Sequence, residues 1–139
     1  MQQLAERSSF VFGKEQTQVK TVLVAQDEPD VRKLVRIILQ RHGYGVLEAT
    51  NAREAIRLCV EHAAPIHLLL ADGILPSMTL RQLAECVQAL RPGVRVLCMS
   101  GYSPEVLHEE GAIEPGTAFL QKPFLPLDLI RRVEDVLSE

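Results

Sequence analysis

Five short, almost continuous apolar runs constrain this chain more than any other feature. They cover residues 22–25, 46–47, 66–71, 94–99 and 118–120. A strand with one face in water alternates apolar and polar residues. A run without alternation is apolar on both faces and suits a parallel sheet covered by helices on both sides. The segments between the runs have helical spacing. Val31, Leu34, Val35, Ile38 and Leu39 form one stripe, and Gly43 is expected to end that helix. Asn51 followed by Glu54 resembles a capping box, with Ala55, Ile56, Cys59 and Ala63 behind it. Leu80, Leu83, Ala84, Val87 and Leu90 predict a third helix, stopped by Pro92-Gly93. Ser103-Pro104 opens a short fourth, and Leu127, Ile130, Val133 and Leu137 mark the last. Five strand–helix units predict an α/β fold: a doubly wound parallel five-stranded sheet with right-handed crossovers.

The chain has 139 residues, enough for one core. Residues 1–19 are mostly polar and are expected to be a flexible leader, with residues 20–139 as the domain. A net charge of −3 gives no reason to expect broad electrostatic binding to nucleic acid. There is no apolar run of about 18 residues and no signal-peptide pattern, so no membrane association and a cytoplasmic location are expected. Cys59, Cys86 and Cys98 are scattered within periodic segments and read as buried thiols of a reducing compartment. His42, His62, His67 and His108 lack metal-ligand spacing.

The chemistry gathers where strands end. In parallel α/β sheets, sites lie outside the carboxyl ends of the strands. Asp72 follows the third run. Gln26-Asp27-Glu28-Pro29 follows the first, and Gln121-Lys122-Pro123-Phe124 follows the fifth. Two aspartates and a lysine at one sheet edge suit a magnesium ion and a phosphoryl group. Singly, each has an ordinary explanation as a cap, turn or loop residue.

Together these pieces resemble the receiver domains of bacterial response regulators, the proteins of two-component signalling. The matching stretches are residues 22–29 (Val-Leu-Val-Ala-Gln-Asp-Glu-Pro), 68–76 (Leu-Leu-Leu-Ala-Asp-Gly-Ile-Leu-Pro), 99–102 (Met-Ser-Gly-Tyr) and 119–124 (Phe-Leu-Gln-Lys-Pro-Phe). The last two are similar to receivers of hybrid histidine kinases. The resemblance implies a flavodoxin-like (βα)5 fold of strand order 2-1-3-4-5. It implies Asp72 as phospho-acceptor, with Lys122 and Ser100 contacting phosphoryl oxygens. Ser100 and Phe119 would form the switch pair. Asp27, Asp72 and the backbone carbonyl of Ile74 would hold Mg²⁺. It also implies a cis Lys122–Pro123 peptide and a histidine kinase or phosphotransfer protein as partner, docked near Pro29, Lys33 and Phe124. Arg32, Lys33, Arg36 and Arg41 are equally readable as a solvated face.

Three departures stand out. Gln26 replaces an acid, so it is expected to hold the metal only weakly, through water. Leu80 stands where a small glycine is common in the loop after the third strand. Ile74 and Tyr102 flank the acceptor and the hydroxyl without offering a carboxylate or amide to align a hydrolytic water. The alternative is a phosphorylation-independent interaction module, which Gln26 would permit. A haloacid-dehalogenase-like phosphatase would need a second Asp where Ile74 stands. A flavin site would need a Ser/Thr-rich phosphate loop after the first strand. Roughly twenty residues outside the domain are too few for an output module, so signalling to an unknown downstream protein is expected through protein contacts.

Overall fold

The computed structural model describes residues 18–139; the expected leader lies outside them, apart from its last two residues. The strands are β1 (Thr21–Ala25), β2 (Gly45–Ala49), β3 (Leu68–Asp72), β4 (Ile74–Leu75), β5 (Met78–Thr79), β6 (Arg95–Ser100) and β7 (Ala118–Gln121). The helices are α1 (Pro29–Arg41), α2 (Ala52–Glu61), α3 (Leu80–Leu90), α4 (Pro104–Glu109) and α5 (Pro126–Leu137). Five strands form one parallel sheet in the order β2-β1-β3-β6-β7. Counted without the small β4–β5 hairpin, this is the expected order 2-1-3-4-5.

The continuous apolar runs have the expected cause. Val22 and Val24 of β1, Leu68 and Leu70 of β3, and Leu97 and Met99 of β6 pack with α1 and α5. Their neighbours Leu23, Ala25, Leu69, Ala71 and Cys98 point the other way, into the layer made with α2, α3 and α4. Residues 22–25 and 68–71 are fully buried. A buried leucine contributes roughly 1.5–3 kcal/mol relative to an exposed one, so neither layer can be given up.

Helix ends follow local chemistry. Gly43, at φ 87°, closes α1, with Tyr44 N–H on the Leu39 carbonyl and Gly43 N–H on that of Gln40. The Asn51 side chain accepts from Glu54 N–H at 2.8 Å, while Glu54 reaches back to Thr50 N–H. Ser103 caps α4 through Val106 N–H. Thr79 and Gln82 form a capping box on α3, from a Thr-x-x-Gln signal in the sequence.

Several expectations need correction. The third strand begins at Leu68, not Ile66. At His67 a ring nitrogen, not a backbone carbonyl, accepts the Thr21 N–H at 2.9 Å. Leu80, placed by its spacing in the third helix and by the resemblance in the loop before it, is the helix residue: the capping box makes it the first of α3, where it is buried and its N–H donates to the Gly73 carbonyl. Cys86 is exposed, one position off the buried Leu83–Val87 line. Leu34 lies beside the Val35–Ile38–Leu39 line and is 50% exposed. The β4–β5 hairpin was not foreseen. It turns through Pro76 and Ser77, and Ser77 takes φ 68°, the proline-then-left-handed pattern of a type II turn.

Two tests follow from the packing. A Cβ added at Gly73 would lie 2.8 Å from Leu107 Cδ1 and 3.4 Å from Cys98 Sγ. Leu107 is fully buried, so it has little room to yield. Gly73→Ala is expected to cost about 1–3 kcal/mol in denaturant unfolding, and Leu107→Val should recover part of it. Strict additivity of the two changes would contradict the contact. The second test concerns His67. Its burial, with Lys20 adding repulsion, lowers its pKa below the usual histidine value. The fold therefore prefers neutral His67, which accepts from Thr21. This contribution is full above the unfolded value near pH 6.5 and is lost as pH falls through it toward the lower folded value. Melting temperature should drop between pH 7.5 and 5.5, and by less in His67→Asn. Equal drops in both proteins would refute the assignment.

Candidate functional site

Parallel pairing brings three strand ends to one edge. Ala25 pairs with Ala71, so Gln26 and Asp72 emerge side by side. Asp72 pairs with Met99 and Ser100 with Gln121, which brings in the segments that follow β6 and β7. Asp72, Lys122 and Ser100, singled out from sequence, thus meet at this edge.

Asp72 has 19% of its side chain exposed and Lys122 17%. Lys122 Nζ lies 3.0 Å from Asp72 Oδ2. The low exposure of both groups shields their attraction from solvent screening, with the desolvation of both charges opposing it. Asp72 Oδ1 accepts a longer bond, 3.4 Å, from Ile74 N–H. Ser100 is buried, and its Oγ accepts from Tyr102 N–H at 3.1 Å. The Ser100 carbonyl accepts from Lys122 N–H at 2.8 Å, which ties the hydroxyl-bearing strand to the lysine-bearing loop. The Lys122–Pro123 peptide is cis, as expected. Phe119 is half-buried against the α2–α4 layer, and its carbonyl accepts from Arg132.

Asp27 is exposed at the end of β1. Asp27, Asp72 and the Ile74 carbonyl offer two carboxylates and a carbonyl at the same edge. Among the described residues no cluster of three or more His, Cys, Asp or Glu could hold a metal. Mg²⁺ needs no such cluster, because it binds through one or two carboxylates and keeps several waters. The donor set fits that ion.

Gln26 is oriented otherwise than expected. It is fully buried. Its Oε1 accepts from Glu28 N–H at 3.1 Å, and a backbone N–H can pair only with the oxygen end of an amide. The group turned to Asp72 is therefore Nε2, a donor, 3.5 Å from Oδ2. A water-linked metal ligand would present an acceptor there.

Other residues shape the site without having been singled out for it. Glu28 Oε1 lies 3.5 Å from Lys122 Nζ. Arg32 donates to the Gln26 carbonyl at 2.8 Å and pairs with Glu48 at 3.4 Å, so it is not part of a solvated face. Gln121 Nε2 donates to the Gly101 carbonyl at 3.0 Å, joining the two loops again. The partners of Arg32, the Gln26 carbonyl and Glu48, lie outside its own helix, so no spacing within α1 signals its role; Gln121 was legible only as part of the strand-end stretch that carries Lys122. Cys98 lies buried behind the acidic group. Burial, then the charge of Asp72, pushes its thiol up to about 12, so it offers no thiolate.

Comparison with known proteins bears on the family and the fold. The model of the response regulator receiver domain matches residues 22–134. The response regulator receiver protein CpdR of Brucella abortus is 28% identical over 119 residues, covering 86% of this chain and 98% of CpdR. Chemotaxis protein CheY4 of Vibrio cholerae superposes with a TM-score of 0.74 at 28% identity, over 86% of this chain and 99% of that one. The receiver domain of the hybrid histidine kinase CckA does so at 0.71 and 32%, over 84% and 98%. The family match spans nearly all of the described sheet and helices and every strand end discussed above, and the chain therefore belongs to the response regulator receiver domain family of two-component systems.

Proposed function

We propose that Asp72 accepts a phosphoryl group from the phosphohistidine of a histidine kinase or phosphotransfer protein. The observation that carries this reading is the 3.0 Å approach of Lys122 Nζ to Asp72 Oδ2 at a shared strand edge. A carboxylate is a weak nucleophile and needs the incoming anion neutralised and aligned. An Asp72 oxygen attacks phosphorus, the P–N bond breaks, and its electron pair stays on the imidazole nitrogen. The product is an acyl phosphate on Asp72. Lys122 offsets the added charge. Ser100 releases the Tyr102 N–H and turns its hydroxyl to a phosphoryl oxygen, and half-buried Phe119 follows into the space vacated. When bound, Mg²⁺ held by Asp27, Asp72 and the Ile74 carbonyl supplies further charge neutralisation.

The partner surface runs over Pro29, Lys33 and Phe124, beside the acceptor, and the output is a contact with a downstream protein. No nucleic acid is required, in keeping with the net charge of −3. Among the described residues no helix is long and apolar enough to cross a membrane; a cytoplasmic place beside a kinase suits the reading. The competing reading, an interaction module that works unphosphorylated, draws on Gln26 alone.

Intact mass after incubation with acetyl phosphate and Mg²⁺ should show one adduct of about 80 Da. Asp72→Asn should lack it. Wild type without an adduct would favour the interaction module, and an adduct retained in the variant would place the acceptor elsewhere. Persistence is the second test. Ile74 and Tyr102 are 48% and 60% exposed and line the rim without a carboxylate or amide to orient water. Decay of the adduct is expected to be slow and to quicken in Ile74→Asn. A fast wild-type decay, unchanged in the variant, would remove the role given to these side chains.

A further inference from the structure

Gln26 is one of two fully or almost fully buried polar residues, with Ser100, among the described residues. Its position is held on three sides. Its N–H donates to the Ala49 carbonyl at 3.0 Å, its carbonyl accepts from Arg32, and its Oε1 accepts from Glu28. Nε2 carries two hydrogens. Among the described residues its one acceptor is Asp72 Oδ2, at 3.5 Å, the long limit of a hydrogen bond. A buried amide donor left underused is costly, and native proteins seldom keep one without a reason. That one weak bond ends on the carboxylate oxygen that Lys122 also contacts, at 3.0 Å, so Nε2 stands beside the acceptor with donor capacity to spare.

We infer that Gln26 is a phosphoryl-binding residue: its Nε2 donates directly to an oxygen of the phosphoryl group on Asp72, so that anion binding here leans less on Mg²⁺. This inference rests on the phospho-acceptor reading and adds to it a ligand contact of different chemistry. A carboxylate at position 26 would repel the incoming anion unless a cation lay between them. A neutral amide donor attracts the anion with or without the cation. The cation and the anion still favour each other through Asp27 and Asp72, but one source of that coupling is absent. By linkage, the factor by which Mg²⁺ tightens the anion equals the factor by which the anion tightens Mg²⁺, so the effect can be read from either side.

The test uses beryllium fluoride as the phosphoryl stand-in. Its affinity is measured by calorimetry with and without Mg²⁺ for wild type and Gln26→Asp, and the Gln26 side-chain amide is followed by nitrogen-15 NMR in wild type. The ratio of affinities with and without Mg²⁺ should be smaller in wild type by about tenfold or more, the scale on which outer ligands act on metals. The Gln26 amide protons should shift downfield on adduct formation in Mg²⁺-free buffer. The NMR measurement needs only wild type bound to the adduct, so poor folding of the variant does not disable it. An adduct that forms while the Gln26 amide stays unmoved, or equal Mg²⁺ ratios in the two proteins, would overturn this inference alone. Failure of wild type to take the adduct at any Mg²⁺ concentration would overturn the phospho-acceptor reading, and this inference with it.

Discussion

Burial of β3 on both faces is the constraint on which the rest depends. Leu68, Leu69, Leu70 and Ala71 have no exposed surface, and each neighbouring pair points into opposite layers. A strand in that position must have helices above and below, so its neighbours run parallel and their connections cross over. Parallel strands all end on the same edge. Asp72 is the first residue of the strand that water reaches, and a polar group can sit there without an unsatisfied burial cost. The site is thus a consequence of sheet direction: Gln26, Ser100 and Lys122 arrive beside Asp72 because β1, β6 and β7 pair in fixed register with it or with each other.

Rigid support of this edge comes from backbone and amide contacts more than from ion pairs. The Ser100 carbonyl to Lys122 N–H bond and the Gln121 amide join the ends of β6 and β7. Arg32 fixes the carbonyl of Gln26 while its other contact, Glu48, lies on β2. Lys122 is shared between Asp72 and the more exposed Glu28. The nearer, less exposed carboxylate has the stronger hold, because solvent screens Glu28 more.

Gly73 shows how closely the acceptor segment is coupled to its surroundings. The absence of a side chain after Asp72 lets Leu107 of α4 lie directly against the backbone there, with Cys98 beside it. The residue beside the acidic group and the helix after β6 therefore share one packed contact. Movement of either is felt by the other, because close-packed interiors transmit displacement instead of absorbing it.

The fold class, the strand order through family resemblance, and the residues at the strand ends were legible in the sequence. Continuous apolar runs report burial on both faces, and that property belongs to the strand as a whole. Helix caps at Asn51, Ser103 and Gly43 were legible for a similar reason: their hydrogen bonds span three to five residues of chain. The Gln26 amide is turned by one backbone atom, the Glu28 N–H two residues along, but that its Nε2 then faces Asp72 is set by the tertiary structure, which brings the two strand ends together. The tertiary structure alone placed Leu107 on Gly73 and gave His67 its bond to Thr21. A hydrophobic pattern fixes the average environment of a face. Hydrogen-bond direction and steric contact depend on single atoms, mostly brought together from segments distant in the chain, and no local period records them.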